Sequence, residues 1–383
     1  MSGKKRLTVC LCLTAGITLA AQNLGSFSFA AIASAEAGGA AAITADGDSV
    51  YAAGYKDNPS GTAAAGVWKI SDCRAPELVP LTDGKYDAGV SALAAAGDSL
   101  YAAGYEDNAS HKAAARVWKI TGGRVVERIS LSGERSWARA SAVAAAGDVV
   151  YAAGFDYDTR DGGANYAAKV WKITGGRAAE LAALTDGGYD AGAAAIALDG
   201  DSLYAAGFEK NAFYKAAAKV WKITGGRVVE DIPLTDGKRN AWAAAVTAGR
   251  GGVYAAGGEA NPSGAADIAK VWRITGARAE ELVSLTDGRY NAGAAAIIAR
   301  GDSLYAAGFE AAPSGTLAAK VWKITGRQVS VLALSPPAGG NDAKAAAIAA
   351  GGDSLYVAGV ETNASGAVSA RVWKIPGALA GGR

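Results

Sequence analysis

The tetrad Tyr-Ala-Ala-Gly starts at Tyr51, Tyr101, Tyr151, Tyr204, Tyr254 and Tyr305, and returns as Tyr-Val-Ala-Gly at Tyr356, at spacings of 50, 50, 53, 50, 51 and 51 residues. A second motif, Val-Trp-Lys-Ile or a near variant, carries Trp68, Trp118, Trp171, Trp221, Trp272, Trp322 and Trp373. A unit of about 50 residues cannot bury an apolar face alone, so the seven copies must stack on one another. A strand-rich repeat of this period is that of propeller blades.

The fourth unit shows the strands. Ala193 to Leu198 is a run of small apolar residues, and Gly200-Asp201 turns the chain. Ser202 to Phe208 then alternates, with Leu203, Ala205 and Gly207 on one face and Tyr204, Ala206 and Phe208 on the other. After a polar loop, Ala217 to Thr224 alternates again, Gly225-Gly226 makes a second turn, and Val228 to Leu234 completes the unit before Thr235-Asp236-Gly237. Period-two runs of this length between Gly and Asp turns are strands joined as hairpins. No run with the 3.6-residue period of a helix competes after residue 36. The expectation is all-β: a seven-bladed β-propeller of four-stranded antiparallel blades. Small residues on the inner strands suit convergence on a central channel, and each Trp fills the wider wedge between blades, contributing about 2–3 kcal/mol.

The ends of the chain set a second problem. Lys4-Lys5-Arg6 followed by the uncharged run Leu7 to Ala21 reads as an export signal, with Ala33-Ser34-Ala35 as its first candidate cleavage site and Ala20 or Ala21 as the second. The apolar run would span about 22 Å as a helix, short of the ~30 Å hydrocarbon core. The expected division is therefore a signal peptide over residues 1–35 and a propeller over 36–383, exported to the periplasm, cell surface or medium, without stable membrane insertion after cleavage. However, the seventh unit stops after its third strand. Residues 24–48 align without gaps on 124–148, which offers Ser26 to Ile32 as the missing outer strand. Cleavage after Ala35 would discard that strand, so the two readings exclude one another.

Without its first 35 residues the chain has 35 basic and 36 acidic residues. That balance leaves no electrostatic footprint for nucleic acid. Cys10 and Cys12 lie in the leader, so Cys73 would remain without a partner and packing alone must hold the exported fold.

Written out, the repeat runs G-D-S-L-Y-A-A-G-[YF]-E, then V-W-K-I, then L-T-D-G-x-[YR]-[DN]-A. It resembles a group of uncharacterised bacterial exported tandem-repeat proteins with VYVAG, WK and LTDG motifs, across residues 36–377. This chain departs from them in its alanine content and in replacing an Asn-Gly turn by Thr-Gly-Gly. A remote likeness to Kelch repeats rests on Gly257-Gly258 alone. The resemblance implies a propeller and export, and no particular reaction.

Residues present in every copy read as structural: the Lys or Arg after each Trp, and the acid that ends the second strand in six units. A ring of those acids holding a cation or basic ligand is the sharper alternative. Breaks in the repeat are more informative. The residue before the inner small-residue run is Gly89, Gly192 and Gly293 in three units, but Arg139, Trp242 and Lys344 in the intervening ones. Just before it come Tyr86, Trp137, Tyr189 and Tyr290, with Asp87, Asp190, Asn240, Asn291 and Asp342 nearby. In a propeller these loops share one face, so Trp137, Arg139, Trp242 and Lys344, flanked by Tyr86, Tyr189 and Tyr290, form the candidate ligand-binding set. The loop Asp156 to Gly163 has its third acid one place late for a calcium loop, and no zinc, triad or phosphate-loop pattern is present. The expectation is a monomeric binding module for a glycan, peptide or protein, with no catalytic residue, metal or cofactor. Its alternatives are a polysaccharide hydrolase or lyase using paired acids at the channel mouth, and a structural envelope component.

Overall fold

The computed structural model describes residues 28–31, 38–47, 49–71, 74–133, 137–157, 165–334, 342–363 and 365–379. The charged and apolar leader, the Ala33-Ser34-Ala35 site, Cys73 and most of the calcium-like loop lie outside them. Among the described residues every regular element is a β-strand, and the strands form seven four-stranded antiparallel sheets. The expected all-β, seven-bladed propeller is the observed fold.

Blade 4 shows how the repeat becomes a blade. Its inner strand is Ala191–Asp199, followed by Ser202–Lys210, Ala216–Thr224 and the outer Arg227–Pro233. Successive strands pair as hairpins. Gly225 and Gly226, with φ of +60° and +79°, form the two-residue turn whose twist matches the flanking strands.

Adjacent blades meet face to face. Trp221 and Ile223 of blade 4 pack on Ala153, Ala168 and Val170 of blade 3. Trp272 and Ile274 of blade 5 repeat this on Ala206, Ala218 and Val220 of blade 4. Trp68 and Ile70 of blade 1 close the circle against Ala358, Ala370 and Val372 of blade 7. Trp118, Trp221, Trp272 and Trp322 are at most 1% exposed. Each indole is thus a wedge between two blades, and alanines opposite it give the space it occupies.

The glycine of every tetrad answers to a feature of the inner strand. In all seven blades the pairing of inner and second strands slips by one residue, as between Ala193 and Ala195 in blade 4. Such a bulge bends the strand and re-aims the residues before it. Here it carries a main-chain oxygen onto the second strand: a Cβ on Gly207 would lie 1.9 Å from the oxygen of Gly192, and one on Gly104 1.9 Å from that of Gly89. Only glycine tolerates that approach.

The charges in the repeat pair inside blades. Lys219 Nζ donates to Glu209 at 2.6 Å and to Asp231 at 2.9 Å, and Lys270 Nζ to Glu259 and Glu281 at 2.7 Å each. Burial opposes the charge on Lys270, but the bonds to Glu259 and Glu281 outweigh it and hold its pKa above the ordinary lysine value. Of the lysines that follow a Trp, Lys222 pairs with Glu230 at 3.2 Å and Lys119 with Glu127 at 3.5 Å, and of the acids that end the second strand Glu209 and Glu259 take the bonds above, as the structural reading expects. Among the described residues no three metal-ligating side chains cluster.

The seventh blade takes its outer strand from the other end of the chain. Ser28–Ala31 runs antiparallel to Val368–Ile375, pairing Ser28 with Lys374 and Ala31 with Arg371. This is the closure offered by the alignment of residues 24–48 on 124–148; Ser26, Phe27 and Ile32 lie outside the described residues.

Two measurements test this account. In urea unfolding, Trp221→Ala should cost about 3–5 kcal/mol, as a large core truncation does. Gly207→Ala, which removes nothing, should cost at least ~1–3 kcal/mol, because main chain and not a flexible side chain occupies the space. A chain starting at Glu36 should melt at a lower temperature than one starting at Gln22 and should self-associate through the bared edge of Val368–Ile375. Equal melting temperatures would show that the added strand does not stabilise the ring.

Candidate functional site

The bulges place one residue of each inner strand opposite one residue of the second strand at the same end of the channel. The seven pairs are Gly39 with Tyr55, Gly89 with Tyr105, Arg139 with Phe155, Gly192 with Phe208, Trp242 with Gly258, Gly293 with Phe309, and Lys344 with Val360. The inner strands contact one another around the ring, so these pairs encircle the channel mouth. Six blades contribute one aromatic ring each, and blade 7 contributes Val360.

In five of the seven pairs one member is a glycine that the other side chain covers. A Cβ on Gly39 would lie 2.7 Å from Tyr55 Cε1, so the tyrosine lies over the glycine. In blade 5 the roles are exchanged: the indole of Trp242 lies over Gly258, whose Cβ would be 2.5 Å from Trp242 Cζ2. The Gly257-Gly258 pair that gave the Kelch likeness therefore has a local cause. Gly257 admits the bulge oxygen of Trp242 and Gly258 admits its ring.

Two of the rings also reach the glycine of the next blade. Phe155 Cδ1 lies 3.8 Å from the place a Cβ on Gly192 would take, and Trp242 Cζ2 lies 3.6 Å from that on Gly293. Beside these glycines no side chain of the inner strand covers the ring. At two junctions a cation takes that place: Arg139 Cζ is 4.0 Å from the Tyr105 ring centroid, and Lys344 Nζ is 5.2 Å from that of Phe309. Both cations are exposed at their termini to the mouth.

The Arg139 junction also brings several charged groups together. Burial pushes the Tyr105 hydroxyl above the ordinary tyrosine range, Arg139 pulls it down, and Asp107 and Asp87 push it up. The Asp107 carboxyl is likewise raised, first by burial and then by Asp87, against Arg139 and His111.

The expected contact residues distribute unevenly. Arg139, Trp242 and Lys344 all stand in the ring of pairs. Trp137 lies two residues upstream of Arg139, opposite Tyr157, and is 40% exposed. Tyr86, Tyr189 and Tyr290 occupy loops at three separate junctions, between blades 1 and 2, 3 and 4, and 5 and 6. The neighbouring acids and amides have a mechanical duty. Asp87 Oδ1 accepts from Ala63 N at 2.8 Å while its carbonyl accepts from Asp107 N. Asp190, Asn240, Asn291 and Asp342 repeat the same bridge between blades.

Tyr55, Tyr105, Phe155, Phe208 and Phe309 were hidden in the sequence because they belong to the repeat. A signal was present nonetheless. The one unit with an aromatic before the inner small-residue run, Trp242, is the one with glycine after the tetrad, Gly258.

No protein-family profile and no curated protein matches the sequence. Solved structures match the fold. The β-propeller domain of the Trilobed protease from Pyrococcus furiosus is 9% identical, with a TM-score of 0.53 over 88% of this chain and 95% of that one. A puromycin-hydrolysing peptidase from Mycobacterium tuberculosis is 14% identical, with a TM-score of 0.54 over 90% of this chain and 54% of that one. A polysaccharide lyase, ulvan lyase bound to -[GlcA(1-4)Rha3S]-, is 8% identical, with a TM-score of 0.57 over 88% of this chain and 91% of that one.

One exchange tests the ring geometry. Trp242→Gly should lower the melting temperature by leaving a gap over Gly258. Adding Gly258→Phe should recover most of the loss, since it rebuilds the arrangement of Gly293 and Phe309 in the next blade. With those likenesses and the seven sheets in hand, the chain is a seven-bladed β-propeller.

Proposed function

We propose that the chain is an exported binding module that takes a saccharide at the aromatic mouth of its channel. The export signal and the likeness to bacterial exported repeat proteins support the location. The single observation that carries the binding reading is the ring of six aromatic side chains, one per blade, interrupted by Val360 and furnished with the cations Arg139 and Lys344. Flat apolar rings beside glycines suit the C–H faces of sugar rings, and the bordering cations suit hydroxyl and acid groups. The propeller of ulvan lyase with its bound saccharide is a further support for this ligand class.

A second reading, a polysaccharide lyase or hydrolase, is favoured by one feature, the raised Asp107 carboxyl beside Asp87. A carboxyl whose pKa is raised by burial and a neighbouring acid has the direction of shift that a general acid requires.

The test is a glycan array that includes acidic and neutral polysaccharides, read for retention and, by mass spectrometry, for product. Retention without product, reduced about tenfold or more by Arg139→Ala and by Trp137→Ala at unchanged melting temperature, is the expected result. Product release abolished by Asp107→Asn would replace the binding module by the enzyme. Absence of retention and product would remove the saccharide reading.

A further inference from the structure

The loop between the second and third strands has one form around most of the ring. It starts at Asn58, Asn108, Asn211, Asn261, Ala312 and Asn363, and three residues on an amide donates back to that residue's carbonyl at 2.8–2.9 Å. The donating residue has positive φ each time: Gly61 +85°, Gly264 +71°, Gly315 +86° and Gly366 +83°, and in blade 2 His111 at +54°. In blade 4 it is Tyr214, at φ +55°, and Phe213 stands where the other blades have serine. A tyrosine in the left-handed region is strained relative to the glycine of its neighbours. Nothing inside the protein rewards the exchange, because Phe213 is 83% and Tyr214 76% exposed. Strained, solvent-facing aromatics held on an otherwise unchanged loop are placed for contact with something outside the chain.

The loop is tied to the channel mouth. Lys210, just before it, donates from its main-chain N to the carbonyl of Asp190 at 2.9 Å and from Nζ to Asp190 Oδ2 at 2.8 Å. Asp190 Oδ1 accepts from Tyr166 N at 3.1 Å. The Tyr166 ring stands edge-on to Phe155 of the mouth, with centroids 5.1 Å apart, and lies 5.3 Å from Tyr157. Of the described aromatic side chains that are largely exposed, Trp137, Tyr166, Tyr189, Phe213 and Tyr214 all belong to this sector of blades 3 and 4, and only Tyr290 lies elsewhere. The groups that link this loop to the mouth, Asp190 and Lys210, are polar.

We propose that this strip is an extension of the mouth, so that the ligand is a polysaccharide chain laid from the channel outward across blades 3 and 4 and held at its far end by Phe213 and Tyr214. The proposal rests on the saccharide reading and adds the length and direction of the ligand. Strands lie about 4.8 Å apart, so a loop joining the second and third strands is about 5–10 Å outward of the inner strand. A ligand touching both the mouth and this loop must contain several sugar rings.

The experiment compares the wild-type chain with the double variant Phe213→Ser and Tyr214→Gly, which installs the Ser-Gly pair found at this place in blades 1, 5, 6 and 7. The probes are size-fractionated oligosaccharides of xylan, alginate and arabinogalactan, two to ten units long, and vesicles of phosphatidylglycerol and phosphatidylethanolamine. Expected are a higher melting temperature for the variant, an affinity about tenfold lower for ten-unit chains, and an unchanged affinity for two-unit chains. Equal affinities of wild type and variant for every length would overturn the extension and leave the mouth as the site. No binding of any oligosaccharide by the wild-type chain would overturn the saccharide reading and the extension with it. Vesicle binding lost in the variant, without saccharide binding, would assign the two aromatics to a membrane surface instead.

Discussion

The architecture depends on one close approach, the main-chain oxygen of a bulged inner strand against the glycine of each tetrad. Because the bulge recurs in all seven blades, the residue that carries that oxygen takes the same place around the channel seven times. Gly39, Gly89, Arg139, Gly192, Trp242, Gly293 and Lys344 are the outcome. A ring of variable residues is thereby carried on an invariant main-chain device. The side chain at that position varies in size, and where it is an indole its partner on the second strand is a glycine, as with Trp242 and Gly258.

The rest of the framework holds that ring still. Indoles between blades supply apolar burial, as Trp221 does between blades 3 and 4, and ion pairs such as Lys270 with Glu259 lie at the edge of the same interfaces. Asp87, Asp190, Asn240, Asn291 and Asp342 bridge each blade to the next close to the mouth. These short side chains satisfy main-chain N–H groups that end a strand, where a longer one would not reach. The polar residues flanking the mouth are consequently part of the support, and the rings and cations are what remain for a ligand.

The strands, turns and blade number were legible because the period of the side chains and the Gly-Gly and Gly-Asp turns are local. Arg139, Trp242 and Lys344 were legible as breaks in the repeat. Phe155 and Phe208 were not, since a residue present in most copies reads as packing until its partner on the neighbouring strand is known. Tyr86, Tyr189 and Tyr290 share a sequence context, and the circle sets them at three different junctions.

The sequence by itself determined the seven strand-rich units, their order and the residues that wedge them apart, because these follow from alternation and periodicity along the chain. It also held both ends of the last blade, in Ser28–Ala31 and Val368–Ile375. Only the tertiary structure decided that these two segments pair, that an arginine of one blade lies over a tyrosine of the previous one, and that Phe213 and Tyr214 face solvent in the same sector as Tyr166. Those relations join residues far apart in the chain, and closure of a ring fixes them, where side-chain periodicity carries no information.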